Sequence, residues 1–174
     1  PGRRDDGPSQ IMNGLLIQAL LAFVALPGLI AFLIPVILLA PDEGSFADLR
    51  AFIPLGAGIA LLLWCVTEFY RAGRGTLAPW APPKQLVVTG LYRYSRNPMY
   101  IAVLLVLLGW FVGFRSATLA AYGVVMMVVF HLRVVLHEEP FLARTHGDQW
   151  SEYSARVPRW LGLPKRLDVA RRAG

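Results

Sequence analysis

Gly90-Leu91-Tyr92-Arg93-Tyr94-Ser95-Arg96-Asn97-Pro98-Met99-Tyr100 places three tyrosines, two arginines, a glycine and a proline directly before an uncharged apolar run that continues to Phe114. Polar chemistry this dense at the mouth of a hydrophobic segment is either the anchor of a membrane helix or part of a site. Pro98 suits the first helical position, where its missing N–H costs nothing. Asn97 then falls at the N-cap, where its side chain is expected to accept from the first turn. The free N–H groups and positive dipole of such a helix start, beside Arg93 and Arg96, suit a carboxylate or a phosphate. Tyr92, Tyr94 and Tyr100 add aromatic faces for a base or a cation. An interfacial belt that only anchors the helix at the headgroups is the slightly simpler account of the same residues.

Composition decides between a soluble and a membrane setting. Hydrophobic residues make up 56% of the chain and charged residues only 16%, whereas a soluble domain carries about 25% charged residues. The expected fold class is an all-α membrane protein of one domain, with about four transmembrane helices. A net charge of +6 would raise nucleic acid as a partner for a soluble protein. Here most basic residues flank apolar spans, so they are read as topology and headgroup contacts, with membrane lipids as partners and no nucleic acid. Cys65 is the single cysteine and sits inside an apolar run, so it reads as a buried small hydrophobe. With no His/Cys/Asp set near His131, no metal site is expected.

Outward from the opening stretch, residues 1–10 form a polar lead expected to be disordered, and the spans are expected at about 11–40, 51–69, 98–114 and 117–136. Ile11 to Ala40 carries no charge and exceeds the roughly 20 residues that cross a bilayer, with Pro27 and Pro35 as expected kinks. The interval from Arg71 to Arg96 is rich in arginine, which places it in the cytoplasm. Within it, Gly73 to Pro83 is an extended linker, and Leu86 to Thr89 is a β-prone piece that Gly90 breaks. Arg115-Ser116 is a tight turn, making the third and fourth spans an antiparallel hairpin. The fourth helix is expected to project through Arg133, His137, Glu138 and Glu139 and to stop at Pro140. Residues 165–174 form a basic tail. Both termini are then cytoplasmic, and a prokaryotic inner membrane is the expected residence. The oligomeric state is not readable from the residues.

A second polar cluster lies on the fourth helix. On an ideal α-helix Arg133 points well around from Glu138, so an intrahelical bridge between them is not expected. Adjacent acids beside apolar sequence need partners, and the Arg93–Arg96 motif emerges on the same side. His131 reads as a satisfied core histidine.

Taken together, Gly73-x-Gly75-Thr76, Pro82-Pro83-x-x-Leu86-Val87, Gly90-x-Tyr92-Arg93-x-x-Arg96-Asn97-Pro98-Met99-Tyr100, Glu138-Glu139-Pro140-x-Leu142, Gly147, Tyr153 and Val157-Pro158-Arg159-Trp160 resemble the integral-membrane methyltransferase family. That family groups isoprenylcysteine carboxyl methyltransferases with phospholipid N-methyltransferases. The resemblance covers roughly Gly73 to Pro164. It departs at Asn97, where many relatives have histidine, at Leu91, where proline is common, and at His146, where phenylalanine often stands.

The resemblance implies S-adenosylmethionine as methyl donor in a cytoplasmic cofactor site closed by the C-terminal segment, S-adenosylhomocysteine as product, and a lipophilic small-molecule or lipidated acceptor. The acceptor is either an isoprenylcysteine-like carboxylate or a lipid amine or thiol. Cofactor-binding roles fall to Gly90, Tyr92, Arg96, Asn97, Pro98, Tyr100, Glu139, Tyr153 and Arg159. Of these, Asn97–Tyr100 and Arg96 suit the cofactor carboxylate, and Glu138 or Glu139 suits its ammonium. Arg133 and Glu138 are the candidate catalytic residues, with Arg133 able to orient a carboxylate acceptor. The competing class is a non-enzymatic small transporter subunit or scaffold whose polar clusters only pair helices.

Overall fold

The computed structural model describes residues 24–39, 46–72 and 86–163. Among the described residues the chain is helical, with no strand. A π-wound stretch, Val24–Leu33, runs into a short α-helix, α1 (Ile34–Leu39). A 3₁₀ turn, Leu49–Ala51, leads into α2 (Phe52–Ala72). A second 3₁₀ turn, Gly90–Arg93, precedes α3 (Pro98–Phe114), and α4 (Ala117–Arg133) follows directly. A π-turn, Val134–Glu138, joins α4 to α5 (Glu139–Arg156). The expected lead, the basic tail and the Gly73–Pro83 linker lie outside the described residues, as does the start of the first span. Pro27 and Pro35, expected as kinks, lie inside the π-wound stretch and at the second position of α1.

Two helical stretches are long and apolar enough to cross a membrane, Leu49–Glu68 and Ala117–Arg156, while Pro27–Leu39 and Pro98–Phe114 are apolar but shorter. The core between them is mostly small-residue and aliphatic, Ala31, Leu62, Ala102, Val103, Val106 and Leu107, with the aromatic Phe130. α2 and α3 pack most extensively, because glycines let their backbones close together. A Cβ on Gly58 would lie 2.8 Å from the Ala102 oxygen, and one on Gly109 would lie 2.4 Å from Leu55.

Pro35 offers no N–H to the carbonyl four residues back, and that carbonyl must find another donor in an apolar setting. The Trp110 indole donates to the Ala31 oxygen at 2.9 Å, and the Tyr122 hydroxyl donates to the Ile30 oxygen at 3.1 Å. Side chains of α3 and α4 thus tie the first helical segment to the bundle at the defect its proline creates.

The tight turn forms as expected. Arg115 adopts the left-handed conformation (φ 51°) and its N–H closes on the Phe111 oxygen, while Ser116 Oγ accepts from Leu119 N–H at 3.5 Å to start α4. Val124, Val125, Met127, Val128, Val129 and Leu132 of α4 are exposed, the reverse of a water-soluble surface and the arrangement a lipid-facing helix needs.

The helix does not stop at Pro140. The chain winds into a π-turn just before it and continues to Arg156, with Pro140 in the first turn of α5. The wider winding gives the ring room that a regular α-turn denies, because the steric conflict is with the carbonyl four residues earlier. α5 breaks at Gly147, where φ 49° and ψ −119° are non-helical, a backbone region open essentially to glycine alone.

Candidate active site

The break at Gly147 turns the second half of α5 back toward the start of α3. Trp150, Tyr153 and Val157 pack as a buried cluster with Leu86 and Leu142. The Tyr153 hydroxyl donates to the Tyr92 carbonyl oxygen at 2.8 Å. Burial pushes the phenol pKa of Tyr153 well up, so this hydroxyl remains a donor throughout the accessible pH range. Tyr92 is itself 6% exposed, packed with Cys65, Val87, Leu91 and Met99. Its ring is therefore committed to the interior.

Beyond α5, Val157 to Trp160 lies as a strap across Ser95, Arg96 and Asn97. Arg96 N–H donates to the Pro158 oxygen at 3.0 Å and Arg96 Nε to the Val157 oxygen at 2.9 Å. Asn97 Nδ2 donates to the Arg159 oxygen at 2.9 Å, and the buried Ser95 hydroxyl donates to the same carbonyl at 3.4 Å. Asn97 thus occupies the N-cap position but makes no side-chain cap bond. The expected capping geometry is overturned because the strap carbonyl takes the side-chain amide. The Trp160 indole reaches His131 Nδ1 at 3.4 Å and stacks on its ring. His131 is exposed, with the strap as its partner, where a core position was expected.

Glu139 locks the strap from below. Arg159 grips it in bidentate fashion, Nε to Oε1 at 2.8 Å and Nη2 to Oε2 at 2.7 Å, while Arg96 Nη1 reaches Oε1 at 2.7 Å. Burial works to raise the Glu139 pKa, but the hydrogen bond from Arg159 and the charges of Arg96 and Arg159 outweigh it, and the net shift is downward. Arg159 is correspondingly pushed up by its bond to Glu139. Arg96 also lies over the Trp150 ring, its Cζ 5.7 Å from the ring centroid, so its orientation is fixed from several directions.

Glu138 faces elsewhere. The Tyr100 hydroxyl donates to its Oε1, and Arg133 Nε donates to the same oxygen at 2.8 Å. The intrahelical bridge that α-helical spacing argued against does form, because the intervening turn is π-wound. Its i→i+5 repeat brings residues five apart onto one face. The Tyr100 ring is stacked on Phe130, centroids 4.5 Å apart, which leaves the hydroxyl as its working group. Two elements far apart in the chain, the first turn of α3 and the junction of α4 with α5, thereby meet at one carboxylate.

The phospholipid methyltransferase family model matches residues 53–149, more than half of the chain. The chain belongs to the phospholipid methyltransferase family. Membership supports an enzyme of the methyltransferase class acting on a lipid-type substrate, in a membrane-associated family. No curated protein and no solved structure matches the chain. The matched region of this phospholipid methyltransferase-family chain includes Gly90 to Tyr100, Arg133, Glu138 and Glu139, whereas Tyr153 and the strap fall beyond it.

Of the residues singled out in the sequence, Arg96, Asn97, Glu139, Arg159 and Tyr153 meet at the strap, and Tyr100, Arg133 and Glu138 meet beside it. Pro98 is buried at the first position of α3. Gly90 stands apart from both groups, against Glu68 of α2: its φ is +56°, and a Cβ there would lie 2.6 Å from Glu68 Cδ. Thr89 Oγ1 donates to Glu68 Oε2 at 2.9 Å. Glu68 is a residue that the motifs do not single out; a lone acid at the end of an apolar run, just before an arginine-rich stretch, is the signal that marks it.

Proposed function

We propose that this protein transfers the methyl group of S-adenosylmethionine to a lipophilic acceptor at the cytoplasmic face of a membrane. The observation that carries the reading is the convergence of Tyr100 and Arg133 on Glu138, where two apolar helices end, in a chain of the phospholipid methyltransferase family. The donor set fits the ammonium at the amino-acid end of the cofactor. Among the described residues both bonds to Glu138 fall on Oε1, so Oε2 is the oxygen that suits an ammonium, whereas Arg96 and the Asn97 side chain, expected to take the cofactor carboxylate, are occupied by Glu139 and the strap.

S-adenosylmethionine, when bound, supplies an electrophilic methyl group on a sulfonium that departs as a neutral thioether. The work left to the chain is alignment and exclusion of water once the acceptor is in its nucleophilic form, which for an amine means after its ammonium has given a proton to water. Tyr100 and Arg133 hold the Glu138 carboxylate in one orientation. Arg96, Glu139 and Arg159 act as positioning residues that fix the strap over the start of α3, and Tyr153 ties α5 to Tyr92. The charge of Arg133 is already met by Glu138, which favours a lipid amine over a carboxylate as acceptor.

Titration of the detergent-purified protein with S-adenosylhomocysteine tests the reading. Glu138→Gln and Tyr100→Phe are expected to weaken binding by roughly ten- to a hundredfold, the loss of one charge-assisted contact. A wild-type protein that fails to bind, or binding that neither variant changes, would leave the scaffold reading in its place.

A further inference from the structure

Glu68 is a carboxylate that the proposed mechanism does not use. It closes the apolar stretch Leu49–Glu68, at the depth where an unpaired charge is costly. Among the described residues, Asp48, Glu138, Glu139 and Glu152 each pair with an arginine. Glu68 is held by neutral donors: Thr89 Oγ1 on Oε2 at 2.9 Å and the Trp64 indole N–H on Oε1 at 3.4 Å. The Gly90 backbone forms a wall against its carboxyl group, so close that a Cβ would lie 2.6 Å from Cδ. These contacts fix the plane of the carboxylate, and among the described residues no arginine or lysine forms an ion pair with it.

The neighbour that supplies one of those bonds is a half-exposed indole, 52% accessible. A carboxylate beside an open indole is the combination that holds an ammonium, through direct charge attraction and through the ring face. The position also connects to the Glu138 group. Cys65, one turn before Glu68, packs on Tyr92 in a cluster that includes Met99, whose neighbour Tyr100 donates its hydroxyl to Glu138. Tyr92 therefore stands between the end of α2 and the α4–α5 junction.

We propose that Glu68, with Trp64, is the specificity-determining residue for the acceptor, recognising the amine of a lipid headgroup as its ammonium at the membrane face; the ammonium gives a proton to water before its nitrogen lone pair takes the methyl group and the thioether leaves. The inference rests on the methyl-transfer reading and assigns it a residue that neither the family match nor the motif comparison singles out. Thr89 and Gly90 are positioning elements for the carboxylate.

The test uses the full chain in detergent with two phospholipids of identical acyl chains, one with a primary-amine headgroup and one with a glycerol headgroup. Lipid retention is read by native mass spectrometry, and methyl transfer to the amine lipid is followed in parallel. Glu68→Gln is expected to lower retention of the amine lipid about tenfold, and to raise its half-saturating concentration by a similar factor with kcat changed less than about threefold. Its affinity for S-adenosylhomocysteine is expected to stay within about twofold of wild type. Trp64→Leu is expected to weaken retention by several-fold, the loss of one ring face. Unchanged amine-lipid retention in Glu68→Gln would overturn the proposal. So would a parallel loss of S-adenosylhomocysteine binding and thermal stability, which would make Glu68 a structural pin for Gly90. A wild type that binds the amine lipid through Glu68 but no S-adenosylhomocysteine would leave a headgroup site without the acceptor role, and the methyl-transfer reading would be what failed.

Discussion

At the Arg115 end of the bundle, closure is brief and mostly apolar. Phe46 packs on Phe52 and Phe114, Ala47 N–H donates to the Gly113 oxygen at 2.8 Å, and one ion pair joins Asp48 to Arg115 at 3.1 Å, its arginine in the open. At the Arg96 end, two arginines share one glutamate, two further donors converge on another, and a strap is fastened through the backbone carbonyls of Val157, Pro158 and Arg159. Both ends join helices of the same bundle, yet only one carries polar groups far beyond what joining requires. Burying charge is expensive and seldom repaid in stability, so the excess at the Arg96 end points to a task other than holding the fold.

The comparison breaks most sharply at Glu139. Replacing it with alanine leaves Arg96 and Arg159 facing each other without their carboxylate. A loss of about 2 kcal/mol is expected, trimmed for the water that reaches the pair, seen as a Tm roughly 5 °C lower and as new proteolysis between Arg156 and Trp160. A strap that stays protected in Glu139→Ala would show that backbone bonds alone hold it.

Gly90→Ala comes next. The left-handed backbone costs a non-glycine residue about 1 kcal/mol, and the new Cβ must displace the Glu68 carboxyl group. A measurable drop in Tm is expected, with amine-lipid retention falling more than S-adenosylhomocysteine affinity. Equal losses of the two would break the separation drawn between the Glu68 and Glu138 groups.

Acid sharpens the contrast in a third way. The Glu139 pKa lies below the ordinary carboxylate value of 4.5. Its contribution is therefore fully present above that value and fades as pH falls through the lower folded-state pKa. Limited proteolysis stepped downward from pH 7 is expected to leave the strap intact to about pH 4.5 and to release it below. Release that begins near neutrality would assign the switch to a group other than Glu139.

The smallest effect is expected from Asp48→Asn. The Asp48 pKa is held below the ordinary range, first by the Arg50 backbone N–H and then by Arg115, but the arginine of the pair is open to water. Exposed pairs contribute little, so Tm is expected to stay within the error of a thermal melt. A large fall would show that the Arg115 end is the stronger closure after all.

Much of this was legible along the chain. The apolar runs located α2, α3 and α4. Pro98 marked the start of α3, and Arg115-Ser116 marked the turn after it. The ordered motifs from Gly90 to Trp160 identified a membrane methyltransferase family before any coordinates were needed, because their residue types and spacings are carried in the sequence itself.

The sequence could not say which groups face which. Helical spacing separated Arg133 from Glu138, and only the π-turn at Val134–Glu138 brought them together. The Asn97 side chain looked like a cap until the strap carbonyl took it. Glu138 and Glu139 are neighbours with the same chemistry, but the geometry gives one to Tyr100 and Arg133 and the other to Arg96 and Arg159. Glu68 gains its role only from Gly90, distant in the chain, pressed against it. Hydrophobic periodicity and residue type are local properties and fix which segments become helices. Partner choice among charged side chains depends on winding, on kinks and on segments folding back, and those are decided only when the helices pack.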